Sequence, residues 1–296
     1  MVYGAPAIAL CIPNAVRIHA TPHHQLQLDI PQWQLTLLPD PEGPDLGKAF
    51  AALVDQLPSK PQLRLHAELS LPSGVGLGSS ASLGVAVLNA LDQYAQWGLS
   101  AQQRYELMFA WEGVFHGAPS GFDHATAMHD GLTYFERFST PPIRELTCAR
   151  PMRVIIAQID DGASTRTMVE GVAQWKVAHP DAFASLLERA HVRAQRFLTL
   201  LNASSMDAAT WNQEIGQLLT ENHVDLQQIG VSTPALNDAC QVAEQAGAFG
   251  AKLIGAGGGG CIVAWVDDAR HDAVFHALSN QSKKCFSLSM NDEVVL

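Results

Sequence analysis

The stretch from Leu63 to Leu91 constrains the fold most, because it joins a strand to a helix through a glycine-rich turn. Leu63, Leu65, Ala67, Leu69 and Leu71 alternate with Arg64, His66, Glu68 and Ser70, the period-2 pattern of a half-buried strand. From Ala81 to Leu91 the chain is apolar nearly all round, as a helix buried in a core is. Between them, Gly74, Gly76 and Gly78 let the backbone turn tightly and approach a ligand with no Cβ in the way. Unpaired N–H groups and the dipole at the helix start make such a turn an anion site, and phosphate is the anion that fits. Two better-known phosphate loops are excluded. A Walker A loop needs a lysine that is absent here, and the dinucleotide fingerprint needs a third glycine where Ser79 stands.

Composition sets the frame. With 47% hydrophobic and 16% charged residues, 296 residues suffice for a large core shared between two domains. A seam is expected after Thr140-Pro141-Pro142, with the strand Arg153–Ala157 opening the second domain, so the division predicted is 1–148 and 149–296. Residues 161–201 read as mostly helical, interrupted near His179-Pro180. A helix is expected after Ser232-Thr233-Pro234, with a capping hydroxyl, proline in the first turn and Gly247 as its stop. Ile262–Val266 reads as a buried strand and Ala269–Leu278 as a short helix. The net charge of −11 argues against a nucleic-acid partner but not against a nucleotide, since local N–H groups and a metal ion reverse the field at one site. Cys11, Cys148, Cys240, Cys261 and Cys285 are scattered, which suits reduced thiols in the cytoplasm. Pro6 and Pro13 break the N-terminal apolar run, against a signal peptide, and no apolar run reaches the roughly 18 residues of a membrane span.

Several side chains are candidates for chemistry. Magnesium takes one or two protein oxygens beside phosphates and water, and Ser80 at the helix start and Glu112 suit that duty. Glu112 is expected to end a helix that Ser100 opens with Gln103 as capping-box partner. A glutamate there is ordinarily a solvated helix-end residue, but an acid at a helix C-terminus opposes the dipole, which is a hint of function. Asp123, in a loop beyond Gly117, Pro119 and Gly121, reads either as a turn-forming residue or as a carboxylate that receives a proton. His116, His124 and His129 invite a zinc reading, but their spacings fit no common zinc motif, and they read as surface or supporting histidines. Gly255, Gly257 and Gly260 satisfy Gly-x-Gly-x-x-Gly, yet strand-like Cys261–Val266 follows where a dinucleotide site needs a helix. A tight turn between strands is expected instead.

Three ordered motifs carry a family resemblance. Pro72-Ser73-Gly74-Val75-Gly76-Leu77-Gly78-Ser79-Ser80-Ala81 resembles the phosphate-binding motif of the GHMP kinases. His116-Gly117-Ala118-Pro119-Ser120-Gly121-Phe122-Asp123 looks like their central Pro-Ser-Gly-x-Asp segment, and Lys252 to Cys261 like their C-terminal glycine motif. Within the superfamily, Val2 to Ala9 and Gly230 to Leu236 are most similar to the mevalonate kinases. The resemblance implies an α+β, two-domain fold, an N-terminal domain like ribosomal protein S5 and a ferredoxin-like C-terminal one, with the active site in the cleft between them. It implies an ATP- and Mg2+-dependent kinase for a small-molecule primary alcohol, with a homodimer possible. By residue, it implies nucleotide binding by Gly74, Val75, Gly76, Leu77, Gly78, Ser79 and Ser80, magnesium on Ser80 and Glu112, and catalysis by Asp123. Thr165 and Gly257 fall on the substrate side, and the glycine motif packs near the nucleotide loop. The alternative acceptor is phosphomevalonate, because Ala163-Ser164-Thr165 before Met168-Val169 is also reminiscent of phosphomevalonate kinases. Two departures stand out: Ala163 replaces a family arginine, and the chain begins at Met1, just after where a lysine and a Gly-Glu-His segment are expected. A mis-set or trimmed start, or a catalytically impaired nucleotide-binding protein, follows from the second.

Overall fold

The computed structural model describes residues 3–70, 72, 74–116 and 119–289; Val2, Leu71, Ser73, Gly117 and Ala118 of the motifs above lie outside them. Along the chain run β1 (Ala7–Leu10), β2 (Val16–Pro22), β3 (Gln27–Ile30), β4 (Leu35–Leu37), α1 (Asp45–Val54), β5 (Leu63–Leu69), α2 (Ser79–Ala95), α3 (Ala101–His116) and α4 (Phe122–Ala127). Then come β6 (Leu132–Phe135), β7 (Ile143–Leu146), β8 (Arg153–Gln158), α5 (Thr165–Ala178), α6 (Pro180–Leu201) and α7 (Ala208–Gln228). The last elements are α8 (Pro234–Gln245), β9 (Gly250–Ile254), β10 (Cys261–Val266), α9 (Asp268–Ser279) and β11 (Lys284–Ser289). They form two compact units, one of Asn14–Ser73 with Gly78–Asp130, the other of Met1–Pro13, Gly74–Leu77 and Gly131–Leu296.

In the first unit a four-stranded sheet has the order β2-β5-β3-β4, with β5 antiparallel to β2 and parallel to β3. The alternation in β5 does what its period dictates: Leu63, Leu65 and Ala67 are buried while Arg64 and Glu68 stay exposed. Those buried residues join Phe50 and Leu53 of α1, Leu83, Leu88 and Leu91 of α2, and Met108 and Trp111 of α3 in one core. Each such leucine, fully buried, contributes roughly 1.5–3 kcal/mol of transfer free energy. The capping box at the start of α3 is present and reciprocal. Gln103 N donates to Ser100 Oγ at 3.2 Å, and Ser100 N to Gln103 Oε1 at 2.9 Å. Two expectations need correction. Helix α3 does not end at Glu112 but runs one turn further to His116, and Asp123 lies in the first turn of α4 rather than in a loop. In both places tertiary packing extends the helix beyond its local signals.

The second unit holds a three-stranded sheet, β1-β6-β7, and an antiparallel four-stranded sheet, β11-β8-β10-β9. Period 2 puts Ile155, Ala157, Ile262 and Ala264 against α8 and α9, where Leu236, Ala239, Ala243, Val274 and Leu278 complete a core. Trp265, pointing the other way, packs on Trp211 of α7 at 5.6 Å between ring centres. Covered on both faces, β8 and β10 are buried at consecutive positions. The break at His179-Pro180 separates α5 from α6, and Thr233 caps α8, its hydroxyl accepting from Leu236 N at 3.3 Å. Helix α7 crosses β9 backbone on backbone: a Cβ on Gly250 would overlap the carbonyl of Gly216. Gly250→Ala is therefore expected to lower stability by about 3 kcal/mol, read as a smaller midpoint in urea unfolding at unchanged slope. No helix among the described residues is long and apolar enough to cross a membrane.

Candidate active site

The glycine turn takes the form its composition demands. Gly74, Gly76 and Gly78 have φ of 75°, 82° and 68°, a left-handed backbone that glycine adopts without a Cβ penalty. Gly78 is the N-cap of α2 and has no side chain to bond it, so among the described residues no N-cap side chain meets the first-turn N–H groups around Ser79 and Ser80. A Cβ on Gly74 or Gly78 would meet nothing within 4 Å, which leaves the backbone bare on that side. Val75 is different, its side chain being buried at 3% exposure as the anchor of the turn. Ser80 is fixed from α3: Trp111 Nε1 donates to its carbonyl at 3.1 Å and to its Oγ at 3.3 Å.

The second glycine run is a turn between β9 and β10, as the strand after it requires. It packs against the first turn by backbone alone. A Cβ on Gly255 would stand 2.7 Å from Gly76 Cα, and one on Gly260 2.7 Å from Val75 O. Neighbouring segments pin it in place. Gly258 N donates to Val231 O at 2.8 Å, Ala163 N to Gly258 O at 3.1 Å, and Gly260 N to Asp160 Oδ1 at 2.6 Å. Gly257 and Thr165, the latter opening α5 behind its cap Ser164, flank this Ala163–Gly258 bond in sequence. Asp160 escaped the sequence reading, and Val231 entered it only as part of the 230–236 motif, because their partners lie far along the chain and carry no local signature.

In the first unit the structure brings Glu112, His116 and Asp123 together, one ligand atom of each within 4.8 Å of the others. Glu112 and His116 share a face of α3 by their i,i+4 spacing, with His116 Nε2 3.2 Å from Glu112 Oε2. Glu112 is 1% exposed, and its Oε1 has no hydrogen-bond partner among the described residues. Its bond to His116 raises the imidazole above its ordinary range. Burial pushes the Asp123 carboxyl up to about 6, Glu112's negative charge adding to the rise and His116 opposing it. The i,i+4 Glu-His spacing was the signal that could have singled out His116.

The three histidines do not converge. His129 Nδ1 lies 2.8 Å from Ala125 O, and His124 is fully buried with Tyr105 and Phe109 rings at 4.9 and 4.8 Å. Burial pushes His124 down to about 4. The unfolded chain, titrating near 6.5, therefore takes up a proton that the folded state refuses between pH 6.5 and 4, so stability falls as pH drops through that window. His124→Phe is expected to remove about 2 kcal/mol of the stability difference between pH 7 and pH 5, measured by urea unfolding of both proteins.

Comparison with known proteins places these features in company. The family description "GHMP kinases N terminal domain" matches residues 46–131, and "GHMP kinases C terminal" matches residues 209–284. A mevalonate kinase of Methanothermobacter thermautotrophicus is 30% identical over 281 residues, covering 93% of this chain and 88% of its own length. The mevalonate kinase of Arabidopsis thaliana is 29% identical over 73% of this chain, which spans 60% of that protein. Among solved structures, mevalonate kinase of L. major in complex with R-mevalonate superposes with a TM-score of 0.82 at 26% identity, covering 97% of this chain and 90% of that one. Streptococcus pneumoniae phosphomevalonate kinase, with phosphomevalonate and AMPPNP, has a TM-score of 0.75 at 16% identity over 96% and 94%, a likeness of fold alone.

Proposed function

The chain belongs to the mevalonate kinase family of the GHMP kinases, and we propose that it transfers the γ-phosphoryl group of ATP to the primary hydroxyl of mevalonate. The observation that carries the chemistry is the half-buried carboxylate of Asp123 beside the buried Glu112. In this reading the backbone N–H groups of 74–80 and the uncapped start of α2 hold the ATP phosphates, since no Walker lysine is available in that loop. Glu112 and the Ser80 hydroxyl would hold Mg2+; a buried carboxylate oxygen without a partner and a fixed hydroxyl fit a hard cation. Once bound, that ion supplies positive charge against the phosphate oxygens. Asp123 orients the acceptor hydroxyl and takes its proton as the new O–P bond forms and the bond to the leaving ADP oxygen breaks. Thr165 and Gly257 contribute to the acceptor side. None of the five cysteines is in a disulfide among the described residues, in keeping with a cytoplasmic setting.

ADP release measured with mevalonate, phosphomevalonate, homoserine and galactose tests the reading. Mevalonate is expected to give a kcat/KM at least about 100-fold above the others, because a site built to hydrogen-bond one substrate leaves buried polar groups unpaired with another. Preference for phosphomevalonate would transfer the assignment to the related reaction. Tight ATP binding without turnover of any acceptor would favour a catalytically impaired protein.

A further inference from the structure

The imidazole of His116 has no part in the transfer just described, yet it completes a set of one nitrogen and two carboxylates at metal-binding distance. Ligands of a tetrahedral site with bonds of about 2.1 Å stand about 3.4 Å apart. His116 Nε2 and Glu112 Oε2, 3.2 Å apart, are already at that spacing. All the ligand atoms of the set lie within 4.8 Å of one another, so the tetrahedral spacing is reached with relative side-chain shifts of at most about 1.4 Å. A second observation points to a cation. Glu112 is buried at 1% exposure, and its Oε1 finds no hydrogen-bond partner among the described residues, a state that buried carboxylates avoid. Magnesium is served by oxygen ligands, whereas a set that includes imidazole suits ions further along the first-row series.

We propose that Glu112, His116 and Asp123 form a site for a borderline divalent cation of the Zn2+ class, filled without nucleotide, whose occupation blocks phosphoryl transfer by engaging both carboxylates. The three side chains leave a fourth position for water, and Nε2 binds after giving any proton to solvent. The inhibitory half rests on the roles given above to Asp123 and Glu112; the binding half rests on geometry alone.

The test titrates Zn2+ into nucleotide-free wild type and His116→Gln by calorimetry, and follows Co2+ in its place by visible absorption. Glutamine keeps an N–H donor for Glu112 Oε2 but removes the nitrogen ligand. Wild type is expected to bind one equivalent and to show the intense bands of low-coordinate Co2+. His116→Gln, with the thermal midpoint of the metal-free protein unchanged, is expected to bind at least about tenfold more weakly, since loss of a ligand costs no less than loss of an outer-shell partner, and without those bands. Asp123→Asn, losing a charged ligand, is the second variant and is expected to weaken Zn2+ comparably. In turnover assays at saturating Mg2+, inhibition by micromolar Zn2+ is expected in wild type and relieved in His116→Gln by the same factor. Equal Zn2+ affinity in wild type and His116→Gln, or no stoichiometric binding to wild type, overturns the proposal. The metal titration reads the site even if no alcohol is phosphorylated, so failure of the kinase reading and failure of the metal site are separately visible.

Discussion

Asp123→Asn is expected to lower kcat by about 10²–10⁴-fold, the range that a positioned general base supplies, while the KM for ATP stays within about twofold. The amide preserves size and part of the hydrogen bonding at the first turn of α4, so the loss reports charge and basicity rather than folding. A pH profile adds a second reading. Burial, reinforced by the charge of Glu112, holds Asp123 near 6 in the free protein, and only its ionised form accepts a proton. The kcat/KM of wild type is therefore expected to be level above that pH and to fall about tenfold per unit below it. That acid limb is expected to disappear in the residual activity of Asp123→Asn. A variant with near wild-type kcat would return Asp123 to the status of a helix residue.

The second large effect is expected at Gly255, far from the carboxylates in sequence. Gly255→Ala places a methyl group 2.7 Å from Gly76 Cα in a residue with φ of 78°. The left-handed backbone costs an alanine about 1–2 kcal/mol, and overlap with a backbone atom about 1–3 more. Nothing flexible lies in the way, so the 74–77 turn itself must shift. The KM for ATP is expected to rise about 100-fold or more, consistent with those summed costs, with ATP affinity measured by calorimetry falling in parallel. Gly113→Ala provides the contrast, since a Cβ there meets nothing within 4 Å and its effect on ATP affinity is expected to be negligible.

What the sequence made legible was whatever local chemistry determines. The alternation of β5, the positive-φ glycines at 74, 76 and 78, the cap at Thr233 and the break at Pro180 each need only their neighbours. The strand after Gly260 was enough to exclude a dinucleotide site. The less legible features are set by distant partners. Glu112 looked like a helix-end residue, whereas α3 continues past it and buries it against Asp123 from another helix. Asp160 holds Gly260 across 100 positions, and Trp111 holds Ser80 across 31, bonds that no spacing rule anticipates. Gly84, which reads as an ordinary helix glycine, is where α2 and α3 approach closely. A Cβ there would lie 2.9 Å from the Trp111 ring that secures Ser80.

The most direct test of the central claim is a 31P spectrum of the protein incubated with ATP, Mg2+ and mevalonate, recorded against the same mixture without mevalonate. A phosphomonoester resonance is expected to grow in step with ADP, only when mevalonate is present, and to slow by about 10²–10⁴-fold in Asp123→Asn. ATP consumed at the same rate with and without mevalonate, or ADP formed with no phosphomonoester, would contradict the account.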